Sequence, residues 1–188
     1  WQINICCPSI HTDCELYFHS MEHLGMLIIA PTAVISKFAD IEDSVRGTKI
    51  IIGDNVVIDS FVKIKPAGGS GDVEIGDHSF INAGTVLYTG NGIKIGKHVL
   101  VAANCTLAPT NHQFHAREKV IAEQGFLPSK GGIHIEDDVW IGANCVLLDG
   151  AILRQGVVLA AGSIVRGELE AYGVYGGNPP RLLKRRGK

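Results

Sequence analysis

The branched aliphatic residues of this chain fall on a six-residue grid. Counting in sixes lands on Ile29, Ile35 and Ile41, restarts at Ile52, Ile58 and Ile64, and again at Ile75, Ile81 and Leu87. It resumes at Ile95, Val101 and Leu107, and a last unbroken run covers Ile135, Ile141, Leu147, Leu153, Leu159 and Val165. A second column stands four residues after the marks. It reads Ala33, Ala39, Val56, Val62, Ser79, Thr85, Val99, Cys105, Val139, Cys145, Ala151, Val157 and Ser163, all small or β-branched. A helical face needs apolar positions three and four apart, whereas a strand alternates at two. Six is a multiple of two, so each period reads as a short strand plus a corner. The corners read "GDN" (53–55), "GDH" (76–78), "GKH" (96–98), "EDD" (136–138) and "GAN" (142–144). Gly, Asn and Asp accept the positive φ of a tight bend.

The marks come in threes between interruptions, so three faces make one coil and the eighteen marks make about six coils. The predicted fold class is all-β: a triangular prism of stacked parallel coils, spaced like neighbouring strands at ~4.8 Å. Each coil buries its face only against the coils above and below, as in solenoids. The interruptions at 42–51, 65–74 and 88–94 are small surface bulges. The fourth, 108–134, is a true loop, long enough to reach beyond its own subunit. The predicted organisation is a lead-in segment 1–28 without a clear amphipathic helix, a β-helix over 29–170, and a tail over 171–188. In that tail Asn178 and Pro179 predict the start of a short C-terminal helix.

Composition sharpens this picture. Aromatics make up only 6% and glycines number 23, which suits a narrow aliphatic shaft with tight corners. A chain of 188 residues makes one domain. The formal net charge of −2 excludes a nucleic-acid partner held by bulk charge. No stretch approaches the ~20 apolar residues of a membrane span, and residues 26–30 are too short and wrongly flanked for a signal peptide. The five cysteines form no CxxC and no complete pairing framework, so a reducing, cytoplasmic setting is expected. Cys105 and Cys145, in the small-residue column, read as core hydrophobes. Cys6, Cys7 and Cys14 lie in the unpatterned N-terminus.

Four stretches carry a resemblance: Asn111-His112 before the long loop, "IHIEDDVWIGANCVLLDGA" (133–151), "AAGSIV" (160–165) and "YGGNPPRLLK" (175–184). Together with the hexads they resemble the hexapeptide-repeat acyltransferases over about 29–183. Within these they are similar to the maltose, galactoside and nodulation-factor O-acetyltransferase branch and to O-acetyltransferases of surface polysaccharide synthesis. The resemblance implies a left-handed coil, a homotrimer with active sites between subunits, and acetyl-CoA lying lengthwise in the intersubunit groove, with no metal required. The hand departs from the usual right-handed crossover of parallel strands. The helical N-terminal cap of the sugar acetyltransferases and the helical domain of the serine acetyltransferases have no counterpart here, which leaves the acceptor open.

His112 matches the family's catalytic histidine. Acetyl transfer to an alcohol needs a base, and an imidazole with an ordinary pKa near ~6.5 suits that task. His115, three residues on, is a loop residue with a lesser claim on the substrate. Trp140 lies outside the shaft, where a neighbouring subunit or a ligand must cover the indole; the family keeps a tryptophan there beside the site. Asn82 matches an asparagine near the acceptor, or serves only as a corner residue. Gly142, Ala143 and Ala161 match the stretch whose backbone groups bind the pantetheine arm. Arg181 and Lys184 match cations suited to CoA phosphates, whereas Arg185, Arg186 and Lys188 read as a solvated tail.

The reading that follows is an acetyl-CoA-dependent O-acetyltransferase acting on a sugar or saccharide. Three alternatives stand beside it. One is N-acetylation of an amino-sugar nucleotide. Another is a γ-type carbonic anhydrase-like zinc protein using His78, His112 and His115. The third is a non-catalytic trimeric scaffold.

Overall fold

Each hexad folds as a short strand followed by a corner that sends the chain into a different sheet. The computed structural model describes residues 26–187. Coil 1 holds β1 (Met26–Ile29), β2 (Val34–Ile35) and β3 (Asp40–Ile41), and coil 2 holds β4 (Lys49–Ile52), β5 (Val57–Ile58) and β6 (Lys63–Lys65). Coil 3 holds β7 (Val73–Ile75), β8 (Phe80–Ile81) and β9 (Val86–Tyr88), and coil 4 holds β10 (Ile93–Ile95), β11 (Leu100–Val101) and β12 (Thr106–Ala108). Coil 5 holds β13 (Ile133–Ile135), β14 (Trp140–Ile141) and β15 (Val146–Leu148), and coil 6 holds β16 (Ile152–Leu153), β17 (Val158–Leu159) and β18 (Ile164–Val165). A partial seventh coil adds β19 (Glu168–Leu169) and β20 (Gly173–Gly177), and β21 (Pro180–Arg185) follows.

The first strands of successive coils build sheet I, the second strands sheet II and the third strands sheet III. Pairing between coils is parallel and places equivalent hexad positions in register. Leu100 lies between Phe80 and Trp140, and Leu107 between Leu87 and Leu147. The result is a left-handed parallel β-helix. The right-handed rule concerns strands of one sheet joined by a packed crossover. Here consecutive strands lie in different sheets and a few corner residues join them.

Every mark from coil 2 to coil 6 is buried. At roughly 1.5–3 kcal/mol per buried aliphatic side chain, these ladders dominate the folding energy. Ile29, Ile35 and Ile41 are less buried, because among the described residues no coil packs below the first. From coil 2 onward the small column is also buried, and its polar members link coils. Ser79 Oγ donates to the Gly96 carbonyl (2.9 Å) and accepts from the Val99 N–H (3.0 Å). The thiols of Cys105 and Cys145 donate to the carbonyls of Gly142 and Ala160, each at 3.2 Å. Both cysteines are therefore core residues, as expected, and Cys105 has its thiol pushed up by its hydrogen bonding with Cys145 and by burial. Left-handed φ occurs at the corners, at Asn55, His78, His98 and Asp138 between sheets I and II and at Asn104 and Asn144 between sheets II and III.

Two features differ from the sequence reading. Sheet I begins at Met26, which pairs with Lys49, rather than at residue 29. Residues 1–25, with Cys6, Cys7 and Cys14, lie outside the described residues. The predicted C-terminal helix is a strand: β21 pairs antiparallel with β20 through a turn containing a cis Asn178–Pro179 peptide. The local Asn-Pro signal favours a helix start, but β20 is the last parallel strand of sheet II. Its open edge needs hydrogen-bond partners, and the returning chain supplies them. Among the described residues no helix is long and apolar enough to cross a membrane.

Candidate active site

The long loop leaves sheet III after Ala108 and enters sheet I at Ile133, so it spans 109–132. Its outgoing root fits because of a glycine: a Cβ on Gly90 would lie 2.1 Å from Thr110 Oγ1. Its returning root is held by Asp149. This carboxylate is buried and accepts the N–H of Lys130 (2.8 Å) and of Gly132 (2.9 Å), while the Gly150 N–H donates to the Gly132 carbonyl (2.7 Å). Inside the loop, the Gln124 amide donates to the carbonyls of Ala116 (2.8 Å) and Lys119 (2.9 Å) and accepts from the Ala116 N–H (3.0 Å).

These constraints fix His112. Antiparallel hydrogen bonds flank it, from Leu127 N–H to the Asn111 carbonyl (2.8 Å) and from Gln113 N–H to the Gly125 carbonyl (2.9 Å). Phe126 stands opposite in this bridge, and its ring lies 4.6 Å from the imidazole, tilted by 38°. Neither ring nitrogen of His112 has a hydrogen-bond partner among the described residues. A cleft of about 280 Å³ opens beside it, lined by Ala67, Gly68, Tyr88, Ala108, Thr110, His112 and Phe126.

Asp149→Ala is expected to free this root. It leaves two backbone donors without an acceptor, at about 1–3 kcal/mol each. Hydrogen exchange should accelerate at the Lys130 and Gly132 amides while amides of the sheet III ladder, such as Leu107 and Leu147, keep their protection. Uniform acceleration across the prism would instead show Asp149 holding the whole fold.

The remaining candidates occupy other parts of the prism. Asn82, Gly142, Ala143 and Ala161 lie at the corner between sheets II and III. The Asn82 amide donates to the Val101 carbonyl (2.7 Å), a bond between neighbouring coils. Gly142 is required by stacking, since a Cβ there would lie 2.6 Å from the Ala161 nitrogen. The backbone N–H groups of Ala143 and Ala161 have no acceptor among the described residues. Trp140 projects outward from sheet II, 53% exposed. It lines a second cleft of about 270 Å³ with His98, Leu100, Asp138, Val158 and Arg186.

The tail departs from the sequence reading in its cations. Arg186 Nη1 donates to Asp138 Oδ2 (3.0 Å) and to the Gly156 carbonyl (2.9 Å), and Arg185 pairs with Glu170 (2.5 Å). Neither is a merely solvated charge. Arg181 and Lys184 are exposed and have no carboxylate partner among the described residues. Lys188 lies outside those residues. His115 is exposed, tilted against Phe114 at 4.6 Å, and does not line the His112 cleft. His78 stacks on His98 at 5.0 Å at the corner between sheets I and II, so one protomer does not gather His78, His112 and His115.

A larger cleft, about 380 Å³, lies along sheet I with Lys94, His134, Glu136 and Arg154 in its wall. Its charges satisfy one another. Arg154 bridges Glu136 (2.8 Å) and Glu168 (2.7 Å), holding the Glu136 carboxyl below the usual range, and Lys94 faces Glu74 (3.7 Å). It offers no free cation or base beside a reacting atom. Tyr88, Phe126, Gln124 and Asp149 escaped the sequence reading. The loop has no period to place Phe126 against His112 or Gln124 against Ala116, Tyr88 ends a strand of the repeat far from the loop in sequence, and an acid before a corner glycine is an ordinary turn signal.

The prism with its protruding loop defines a class, the left-handed β-helices of hexapeptide repeats. A model of the bacterial transferase hexapeptide (six repeats) matches residues 132–167, and one of the hexapeptide repeat of succinyl-transferase matches residues 72–109. The chain is similar to the galactoside O-acetyltransferase of Escherichia coli, 30% identical over 60% of this chain and 54% of that protein. It resembles a mutant of AntD, an N-acyltransferase from Bacillus cereus solved with dTDP-4-amino-4,6-dideoxyglucose and coenzyme A. That likeness has a TM-score of 0.70 and 28% identity over 88% of this chain and 85% of that one. It also resembles a hexapeptide-repeat acetyltransferase of Vibrio cholerae complexed with acetyl-CoA, at a TM-score of 0.64 and 29% identity over 73% and 71% of the two chains. The chain spans between 24% and 54% of the length of curated relatives that it matches.

Proposed function

We propose that the chain is an acetyl-CoA-dependent O-acetyltransferase, working as a homotrimer on a hydroxyl of a sugar or saccharide. One observation carries the reading: among the described residues a single prism holds an imidazole without a hydrogen-bond partner on its loop edge and, elsewhere, N–H groups without an acceptor and two cations without a carboxylate partner. Neither set makes a site alone, and a three-fold neighbour brings one against the other. The resemblance to structures holding acetyl-CoA or coenzyme A supports this use of the second set. The setting proposed is cytoplasmic, in surface polysaccharide synthesis.

In this reading His112 accepts the proton of the acceptor hydroxyl as the oxygen attacks the thioester carbonyl. The tetrahedral intermediate carries its negative charge on the former carbonyl oxygen, where an N–H such as that of Ala143 stabilises it. Collapse breaks the carbon–sulfur bond, and the imidazolium returns its proton to the departing thiolate. No covalent enzyme intermediate is involved. Cys105 and Cys145 are buried and bound to carbonyls. Arg181 and Lys184 face the CoA phosphates. The likeness to an N-acyltransferase favours a second reading, transfer to the amine of an amino-sugar nucleotide. A neutral amine attacks with less help from a base.

Calorimetry with acetyl-CoA tests the first step. Arg181→Glu combined with Lys184→Glu is expected to weaken binding about 10- to 100-fold. Absence of binding by the wild-type chain would favour a scaffold role. Labelled acetyl-CoA offered with hydroxyl and amino sugars then separates the two transfer reactions.

A further inference from the structure

The corner between sheets II and III carries buried donors on its inner side that the mechanism above does not use. We infer that Thr85, Cys105, Cys145 and Ser163 are positioning residues, whose hydroxyl and thiol groups aim a row of backbone N–H groups out of this corner toward the donor groove. The inference deepens the transferase reading and rests on it, because that reading lays coenzyme A along this corner.

The donors are unevenly placed. From coil 2 to coil 6, the small column inside the corner between sheets I and II reads Val56, Ser79, Val99, Val139 and Val157. Inside the corner between sheets II and III it reads Val62, Thr85, Cys105, Cys145 and Ser163. All ten are buried, and valine fits the space at either corner. The second corner nevertheless holds a hydrogen-bond donor in each of coils 3 to 6. Their partners are the carbonyls of the corner itself. Thr85 Oγ1 donates to Ala102 (3.2 Å) and Cys105 Sγ to Gly142 (3.2 Å), while Cys145 Sγ (3.2 Å) and Ser163 Oγ (2.6 Å) both donate to Ala160.

Peptide geometry turns these bonds outward. In a planar trans peptide the carbonyl and the following N–H point in opposite directions. A carbonyl of residue 102, 142 or 160 drawn to a donor inside the shaft therefore sends the N–H of Ala103, Ala143 or Ala161 away from it. None of these N–H groups has an acceptor among the described residues. Hexad position alone does not leave them open. At the same position between sheets I and II, the N–H groups of Asp54, Lys97 and Gln155 donate to the carboxylates of Asp77 (3.0 Å), Asp137 (2.7 Å) and Glu136 (2.7 Å). There Ser79 draws in the Gly96 carbonyl, and Asp137 takes the Lys97 N–H that this turns out. Between sheets II and III the side chains at the open positions are alanines, which supply no cap. The open N–H groups stand on successive coils, ~4.8 Å apart. Such a row suits a chain-like ligand with carbonyl acceptors, which the amides and thioester of an acyl-pantetheine arm supply.

Isotope labelling of the alanine amides and calorimetry with acetyl-CoA test this on the full chain. Cys105 is the sole side-chain donor to the Gly142 carbonyl among the described residues, whereas the Ala160 carbonyl has two. Cys105→Val is therefore expected to lower the order parameter of the Ala143 N–H from the rigid value of about 0.85 to below about 0.6. The same variant should bind acetyl-CoA about 2- to 10-fold more weakly. Cys145→Val makes the same exchange one coil higher, where Ser163 still holds the Ala160 carbonyl. There the Ala161 N–H should stay ordered and the affinity stay within about twofold of wild type. Cys105→Ser keeps a donor and should restore both quantities. Cys105→Ala removes the thiol without adding volume and reads the same loss where the valine variant does not fold. An Ala143 N–H that stays ordered, or an affinity that stays unchanged, in the donor-free variants overturns the inference. So does equal impairment by Cys105→Ser or by Cys145→Val, because either shows a packing effect. A wild-type chain that binds no acetyl-CoA ends the transferase reading by itself, and the Ala143 order parameter then decides whether the buried thiol sets the peptide plane.

Discussion

Replacing His112 by alanine is expected to lower kcat for acetyl transfer to a hydroxyl by about 10²- to 10⁴-fold. The same variant should bind acetyl-CoA within about twofold of wild type. The split follows from the geometry. The imidazole stands on the loop edge, where its ring is oriented by Phe126 and by the two backbone bonds around it, and not by a carboxylate. The proposed CoA contacts lie elsewhere, Ala143 and Ala161 at the corner between sheets II and III and Arg181 and Lys184 on β21. Removing the ring therefore takes away proton transfer and leaves the donor's binding surface intact. Steady-state kinetics with labelled acetyl-CoA, beside calorimetry, measures both quantities. Near-wild-type turnover would end His112's role as base. A loss confined to hydroxyl acceptors, with amines still acetylated, would move the assignment toward N-acetylation.

The parts of the structure that follow a period were legible in the sequence. Ile52, Ile75, Ile95 and Ile135 sit at the same hexad position and form one buried ladder, because pattern and fold obey the same short-range rule. What was not legible depends on partners distant in sequence. Asn178-Pro179 carries the local signal of a helix start, yet the open edge of β20 draws the next segment into a hairpin. Arg186 looks like a tail charge until the hairpin returns it to Asp138, 48 residues earlier. Phe126 and Gln124 lie in the long loop, where the repeat is broken, so no register placed them against His112 and Ala116. His112 itself was legible through its position at the break in the grid and through the resemblance, and not through any neighbour in sequence.

Mixing two inactive chains is expected to regenerate activity. One parent carries His112→Ala, and the other carries Ala161→Phe, which fills the space that the pantetheine arm needs against the corner between sheets II and III. If each site takes its imidazole from one protomer and its donor groove from the next, a mixed trimer contains junctions in which both contributions are intact. Random assembly of equal amounts makes about a quarter of all junctions intact, so co-expressed, co-purified chains should reach about a quarter of wild-type turnover. The argument needs no knowledge of the distance between protomers, only that the two edges of one chain serve different sites. Chains purified separately and mixed without exchange of subunits should remain inactive, which excludes contamination. If both contributions came from one protomer, each chain would carry one defect in its only site. Co-expression would then restore nothing, because no arrangement of neighbours can move an imidazole from one edge of a rigid prism to another.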